Sequence, residues 1–245
     1  FDFQVDTYIG CEHYCYYCYA LEQAETDWKK EIMIHEDIGA ALGRELEGMP
    51  EQTVYMGTHT DPYQPCEAVR KQTRTVLETL HAAGFSASIL TKSDLVVRDL
   101  DILKNMKDGA VSVSVAFSGN QTHRIFEANT QDTRKRIKAL RLVREAGVRT
   151  GALICPVVPY ITDVFTLLNM LEPYADTIWI YGLSMADPES RNRKHIDAIL
   201  HRHYPFLADI ILPALDSAGH TYWQVLGEML AEIKKQRRLN MNIHV

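Results

Sequence analysis

Three cysteines within eight residues, Cys11, Cys15 and Cys18, are the part of this sequence best equipped for chemistry. They lie in the run Cys11-Glu-His-Tyr-Cys15-Tyr-Tyr-Cys18, short enough to form one loop. Thiolates bind zinc and iron–sulfur clusters. Three on one loop would leave one iron of a four-iron cluster without a protein thiolate, open to an outside ligand. A structural zinc site normally uses four protein ligands, often as two pairs. Here the second pair is missing, and His13 would have to serve between two thiolates on a cramped loop. The third reading is three buried free cysteines, which the polar and aromatic residues between them disfavour. Cys66 and Cys155 stand apart, and an odd total of five does not read as a secreted disulfide framework.

Short β-rich runs and helical patterns alternate around this loop. Strands are expected at Phe3–Ile9, Thr53–Met56, Ser86–Leu90, Ala110–Ala116, Val148–Ile154 and Thr177–Tyr181. Helices are expected at Asp37–Leu46, at Ala68–Ala83 stopped by Gly84, at Arg98–Met106, at Thr133–Ala146 stopped by Gly147, and at Val164–Leu171. Strands alternating with helices imply parallel pairing through right-handed crossovers. The architecture is then an open doubly wound sheet or a barrel or partial barrel, with functional loops at the carboxyl ends of the strands. The unusual segments do follow strands: the cysteine loop, Thr58–Glu67, Thr91–Asp94 and Cys155–Pro159. Beyond Tyr181 a polar helix is expected at Glu189–His203, an apolar stretch at Phe206–Ser217 that Pro213 should kink or break, and an amphipathic helix at Tyr222–Arg237. Alternation from Leu239 to Val245 suggests a final strand. The expected division is residues 1–183 as the main domain and 184–245 as a mostly helical C-terminal extension packed on it.

The 245 residues are 46% hydrophobic and 24% charged, an ordinary globular composition that excludes disordered and collagenous classes. No apolar run reaches the roughly 18 residues of a membrane span, and nothing at the start reads as a signal peptide. Clustered cysteines without an export signal suggest metal in a reducing cytoplasm. The chain opens on Phe1 rather than Met, so its natural start is expected upstream. A net charge of −6 argues against a surface coated with phosphate-binding cations, though not against a local basic groove.

The three-then-two cysteine spacing, with aromatic Tyr17 before the last cysteine, resembles the signature of the radical S-adenosylmethionine (SAM) superfamily. Three further words are similar to those of its spore photoproduct lyase-like branch, also labelled DNA repair photolyases. These are Gly57-Thr-His-Thr-Asp-Pro-Tyr-Gln-Pro-Cys-Glu67, Thr91-Lys-Ser93 and Cys155-Pro-Val-Val-Pro159. The resemblance covers about residues 5 to 165. It implies an α/β fold, a partial (β/α)6 barrel. It also implies a [4Fe-4S] cluster whose open iron is chelated by SAM. An electron from a donor such as flavodoxin or ferredoxin would cleave SAM to methionine and a 5′-deoxyadenosyl radical, which takes a hydrogen from the substrate.

Carried over by the resemblance, Cys11, Cys15 and Cys18 ligate the cluster, and Tyr17 and Tyr19 flank the adenosine or the cluster. Thr60 and Asp61 sit beside the SAM amino group, Lys92 pairs with its carboxylate, and Ser114 lies near the ribose or methionine part. Plainer alternatives stand beside these: a solvent-shielding Tyr19, a turn-capping Thr60–Asp61 pair before Pro62, a solvated Lys92, and a Ser114 bonded to backbone. Glu127 and Arg134 echo a Glu and an Arg of the branch and are expected to form a structural ion pair.

The sequence also departs from the branch. The spore enzyme returns a hydrogen atom from a cysteine near the end of its second strand, where this chain has Thr58. Cys66, eight residues on, is the one thiol of that loop that could reach the site, although a small buried thiol is the commoner case. The substrate is therefore open: a nucleic acid by analogy, or a peptide or metabolite. A non-catalytic zinc or iron–sulfur binding module is the alternative from another class. If nucleic acid binds, the expected cations are Arg191, Arg193, Lys194, Lys234, Lys235, Arg237 and Arg238; the basic run 134–144 reads as a solvated helix face. His201 and His203 read as surface residues rather than metal ligands.

Overall fold

The structure is a computed structural model describing residues 3–245. Its elements run β1 (Tyr8–Ile9), β2 (Met33–Ile34), α1 (Ile38–Leu46), β3 (Thr53–Met56), α2 (Glu67–Arg70), α3 (Gln72–Ala82), β4 (Ser86–Thr91), α4 (Leu100–Leu103), β5 (Ala110–Ser114), α5 (Asn120–Phe126), α6 (Thr133–Glu145), β6 (Arg149–Val157), α7 (Val164–Leu171), β7 (Thr177–Gly182), α8 (Arg191–His203), α9 (Pro205–Asp216), α10 (Thr221–Arg237) and β8 (Met241–His244). Short 3-10 turns at Tyr19–Gln23 and Asp94–Asp99 follow the cysteine loop and β4.

Six strands form one sheet in the order β3-β4-β5-β6-β7-β8, every neighbouring pair parallel. Strand order equal to chain order is what successive right-handed crossovers produce when they build a barrel wall. Through the middle of the strands buried and half-buried residues alternate. Val54, Met56, Ala87, Ile89, Val111, Val113, Ala152 and Ile154 are buried against the helices, with Val76, Leu77 and Leu80 of α3 and Leu140 and Val143 of α6 opposite them. Their neighbours Tyr55, Leu90, Ser112, Leu153, Cys155 and Tyr181 point the other way and are only half-buried. This is a partial barrel with a packed outer layer and an open concave face.

The sheet has six strands as expected, but with a different membership. The expected strand Phe3–Ile9 contributes only a parallel bridge of Gln4 to Tyr55 on the edge of β3. Asp6 then leaves the ladder because its carboxylate takes the His59 backbone N–H and imidazole, and Tyr8–Ile9 pairs antiparallel with β2 instead. The sixth strand is β8, whose Met241 is fully buried beside β7. The tail of the C-terminal segment therefore belongs to the main sheet, while α8–α10 form its helical part.

Other boundaries moved for local reasons. The expected helix 68–83 is two helices, split at Lys71, which has φ 56°. Val69, which shares a helical stripe with Val76, Leu77 and Leu80 in the sequence, is 80% exposed while those three are buried. The expected helix 98–106 is a 3-10 turn followed by one α-turn. Helix α9 continues through Pro213: the fully buried Ile211, Ala214 and Leu215 offset the lost backbone bond. Among the described residues no helix is long and apolar enough to cross a membrane.

Candidate functional site

A cavity of about 350 Å³ opens at the carboxyl ends of the strands, within the size range of small-ligand pockets. All nine residues carried over from the resemblance line it: Cys11, Cys15, Cys18, Tyr17, Tyr19, Thr60, Asp61, Lys92 and Ser114. The cysteine loop forms one wall, the exits of β3, β4 and β5 another, and Cys155, Leu183 and Asn192 a third.

Asp61 is the joint of the second wall. Its Oδ1 accepts the Thr91 hydroxyl at 2.6 Å and the Tyr63 N–H at 2.8 Å, and its Oδ2 accepts the Lys92 N–H at 2.7 Å. His13 Nε2 stands 3.3 Å from the same Oδ2, tying in the cysteine loop. Burial by itself would raise this carboxyl, but His13, the Thr91 hydroxyl and the Lys92 N–H together bring it down to about 2. Its oxygens are thus engaged by protein groups, the Tyr63 N–H as a turn cap among them, and Thr60 donates to the Tyr8 carbonyl at 3.3 Å.

The other expected residues are placed as follows. Tyr17 donates its hydroxyl to the Glu127 carboxylate. Tyr19 is 52% exposed at the mouth and donates to the Thr58 carbonyl at 2.5 Å. Ser114 Oγ donates to the Cys155 carbonyl at 3.3 Å, the backbone bond foreseen as its plainer role. Lys92 Nζ lies over the Tyr17 ring, 5.8 Å from its centroid. It makes no ion pair among the described residues, so it is neither solvated freely nor neutralised.

Cys11 and Cys15 are buried and Cys18 half-buried. Burial pushes the Cys11 thiol up to about 12, aided by Asp61. Burial also raises Cys15, against the pull of Lys92, and raises Cys18. Thiolates in this setting need a compensating positive centre, which iron supplies. Among the described residues no three His, Cys, Asp or Glu side chains converge to hold a single metal ion. A tetrahedral zinc site needs that convergence, and His13, the one extra ligand considered for it, already faces the Asn129 carbonyl at 3.1 Å and Asp61. A four-iron cluster does not need it, because each thiolate binds a different iron. Three thiols on one loop, two buried and one half-buried, facing a cavity with an ammonium unpaired among the described residues thus fit a cluster and a zwitterionic ligand.

Several expectations are corrected. Glu127 pairs with Arg136 at 2.6 Å, two residues on from exposed Arg134 and so on the opposite, buried face of α6. Cys66 does not reach the cavity; it opens on a separate surface pocket with Glu12 and Arg70. The thiol outside the cysteine loop that does line the cavity is Cys155. Lys234–Arg238 end α10, where Leu239 and Asn240 lead into the start of β8 beside Thr177. That edge of the sheet is opposite the mouth. Arg193 is buried against Asp216 at 3.1 Å and Lys194 is paired with Glu189 at 2.8 Å. His201 and His203 are exposed, as expected.

Sequence reasoning missed His59, Asn192 and Cys155. The signal for Cys155 was present: it shares the inward phase of Gly151 and Leu153 on β6. His59 has its Nδ1 held by Asp6 at 2.7 Å, and Asn192 enters from α8, 174 residues after Cys18, which no local pattern indicates.

The sequence profile of the radical SAM superfamily matches residues 5–165. The chain belongs to the radical SAM superfamily. A relative from Methanocaldococcus jannaschii, described only as uncharacterized, is 29% identical over 238 residues, covering 95% of this chain and 86% of that one. An uncharacterized Mycobacterium tuberculosis protein is 32% identical over 183 residues, covering 70% of this chain but only 54% of its own length. Among solved radical SAM folds, spore photoproduct lyase complexed with dinucleoside spore photoproduct superposes with a TM-score of 0.55 at 17% identity, over 81% of this chain and 59% of that one. Streptococcus suis SuiB bound to precursor peptide SuiA gives a TM-score of 0.61 at 15% identity, over 99% of this chain and 48% of that one. At these identities the likeness is of fold.

Proposed function

We propose that this chain is a radical SAM enzyme whose Cys11, Cys15 and Cys18 hold a [4Fe-4S] cluster and whose cavity takes SAM. The observation that carries this reading is one cavity lined by two buried thiols, the half-buried Cys18 and an ammonium without a counter-ion among the described residues. When bound, the cluster and SAM supply reductive cleavage to methionine and a 5′-deoxyadenosyl radical, with one electron from a flavodoxin- or ferredoxin-type donor.

The chain's own residues bind and orient. Lys92 receives the carboxylate of the methionine moiety. Asp61 acts through the segments it joins, holding Lys92, Thr91 and His13 in mutual register. Tyr17 and Tyr19 shield the cavity, Tyr19 as a half-exposed cover. A chain with an oxygen-labile cluster and no paired cysteine among the described residues belongs in a reducing compartment such as the cytoplasm.

A peptide or metabolite fits the concave face better than a nucleic acid. The analogy with spore photoproduct lyase favoured nucleic acid, but four of the seven cations expected to hold phosphates lie at the far edge of the sheet. Two of the others are engaged by Asp216 and Glu189. The deciding experiment is anaerobic reconstitution with iron and sulfide, then reductant and SAM, with 5′-deoxyadenosine as the readout. Its absence from a fully loaded protein would overturn the enzymatic reading.

A further inference from the structure

The position of Lys92 is set by groups that do not touch its ammonium by hydrogen bonds. Its Nζ stands over the Tyr17 ring. The Tyr17 hydroxyl donates to Glu127 Oε1, and Glu127 Oε2 accepts from Arg136 Nη2 at 2.6 Å. Arg136 is fully buried and is pinned by the Ser114 carbonyl at 2.9 Å, the Gln131 carbonyl at 2.6 Å and His123 Nε2 at 3.0 Å. His123 Nε2 also faces the Thr130 hydroxyl at 2.8 Å, and burial together with the Arg136 charge keeps that imidazole neutral. The phenol ring is therefore fastened, through one charge-assisted bond, to an ion pair that cannot move.

The arrangement resolves a conflict at Lys92. A cation beside a cavity needs compensation for lost water, yet direct pairing with Glu127 would cancel the charge that an anionic ligand needs. Arg136 takes the Glu127 charge instead. The carboxylate draws on the phenolic proton, which enriches the ring in electrons. An enriched ring attracts the ammonium along a defined direction, weakly enough to yield to a carboxylate.

We propose that Tyr17 and Glu127 are positioning residues for Lys92, holding its ammonium in the cavity, unpaired among the described residues, for the carboxylate of an amino-acid-like ligand. The inference deepens the assignment of SAM to this cavity and rests on it. It differs from the expectation that Tyr17 merely flanks the cofactor, because it makes the effect of the phenolic oxygen depend on Lys92.

A double-mutant cycle tests that dependence. SAM is titrated calorimetrically and anaerobically into cluster-loaded wild type, Tyr17→Phe, Lys92→Met and the double variant. Tyr17→Phe keeps the ring and its packing and removes only the bond to Glu127. Its SAM Kd should rise about threefold to tenfold, within what a partly desolvated cation–π contact supplies. In the Lys92→Met background the same change should have no further effect. The electron paramagnetic resonance spectrum of the reduced cluster without SAM should match wild type in Tyr17→Phe. Glu127→Gln, which keeps an acceptor but no charge, should reproduce the Tyr17→Phe loss. Tyr17→Phe carries the test alone if Glu127→Gln does not fold. Additive losses, or an unchanged Kd in Tyr17→Phe when Lys92→Met is weakened, would overturn the inference and leave the SAM assignment standing. Wild-type affinity in Lys92→Met, or no SAM binding by loaded wild type, would overturn both.

Discussion

Replacing Gly57 with alanine should cost both stability and ligand binding. Gly57 ends β3 with φ +109°, a conformation side chains rarely adopt. A Cβ there would stand 2.2 Å from the Leu90 carbonyl oxygen and 3.1 Å from its carbon. Leu90 cannot retreat, because it is paired with Ser112 inside the sheet and precedes the Thr91–Lys92 pair that grips Asp61. Positive φ costs about 1–2 kcal/mol, and a backbone overlap of this kind about 1–3 kcal/mol. The sum, roughly 2–5 kcal/mol, is a large share of a domain's 5–15 kcal/mol. For a chain of this size it should lower Tm by about 4–20 °C. Because the displaced loop carries Thr60 and Asp61, SAM affinity should fall as well. Gly43 is the internal control: it lies inside α1 with open space around its Cβ position, so Gly43→Ala should raise stability by about 0.5–1 kcal/mol. Thermal unfolding followed by circular dichroism, with a SAM titration of each variant, checks both. Gly57→Ala unfolding at the wild-type temperature would refute the reasoning.

Alanine at Cys11, Cys15 or Cys18 should abolish cluster loading, while Cys66→Ala retains it, read as iron and sulfide per chain; full loading of Cys15→Ala would contradict the assignment. Burial and Arg136 push the His123 imidazole down to about 4, below its unfolded value near 6.5. The folded state thus resists a proton that the unfolded state accepts, so stability is complete above about pH 6.5 and falls as pH drops towards 4. Urea midpoints should show a loss of roughly 2–3 kcal/mol between pH 7 and 4.5, and His123→Gln should flatten that slope. Neutralising Lys234, Lys235 and Arg238 should leave SAM affinity and 5′-deoxyadenosine formation unchanged, since these cations sit across the sheet from the mouth.

The cysteine loop and the words following β3 and β4 were legible because each is a local string, and parallel topology then fixed them at one end of the sheet. The outer face of the strands was legible for the same reason, through alternation at the strand centres. Three things were not. The choice of Arg136 over Arg134 depends on helical phase relative to a loop ten residues away. The strand β8 was expected from its alternation, but its place in the main sheet, like that of Asn192 in the site, comes from long-range packing that leaves no mark on neighbouring residues. Pro213 was misjudged because local propensity was weighed without the burial around it. Asp61 lay between: its place was visible, but the saturation of its oxygens by Thr91, Tyr63 and Lys92 was not.

The order in which the walls of the cavity leave the ribosome has a consequence for how it is filled. The thiols emerge first, and Cys15 and Tyr17 finally pack with Phe126, Leu183, Met185 and Ile196, all made far later. At about 5–20 residues per second, the interval from Cys18 to Asn192 is roughly 9–35 s. Through that time the loop stands open to solvent, iron carriers and oxidants alike. Loading is easiest before α8 arrives. For a cluster held as proposed, slower translation between Cys18 and Asn192 should therefore raise the loaded fraction.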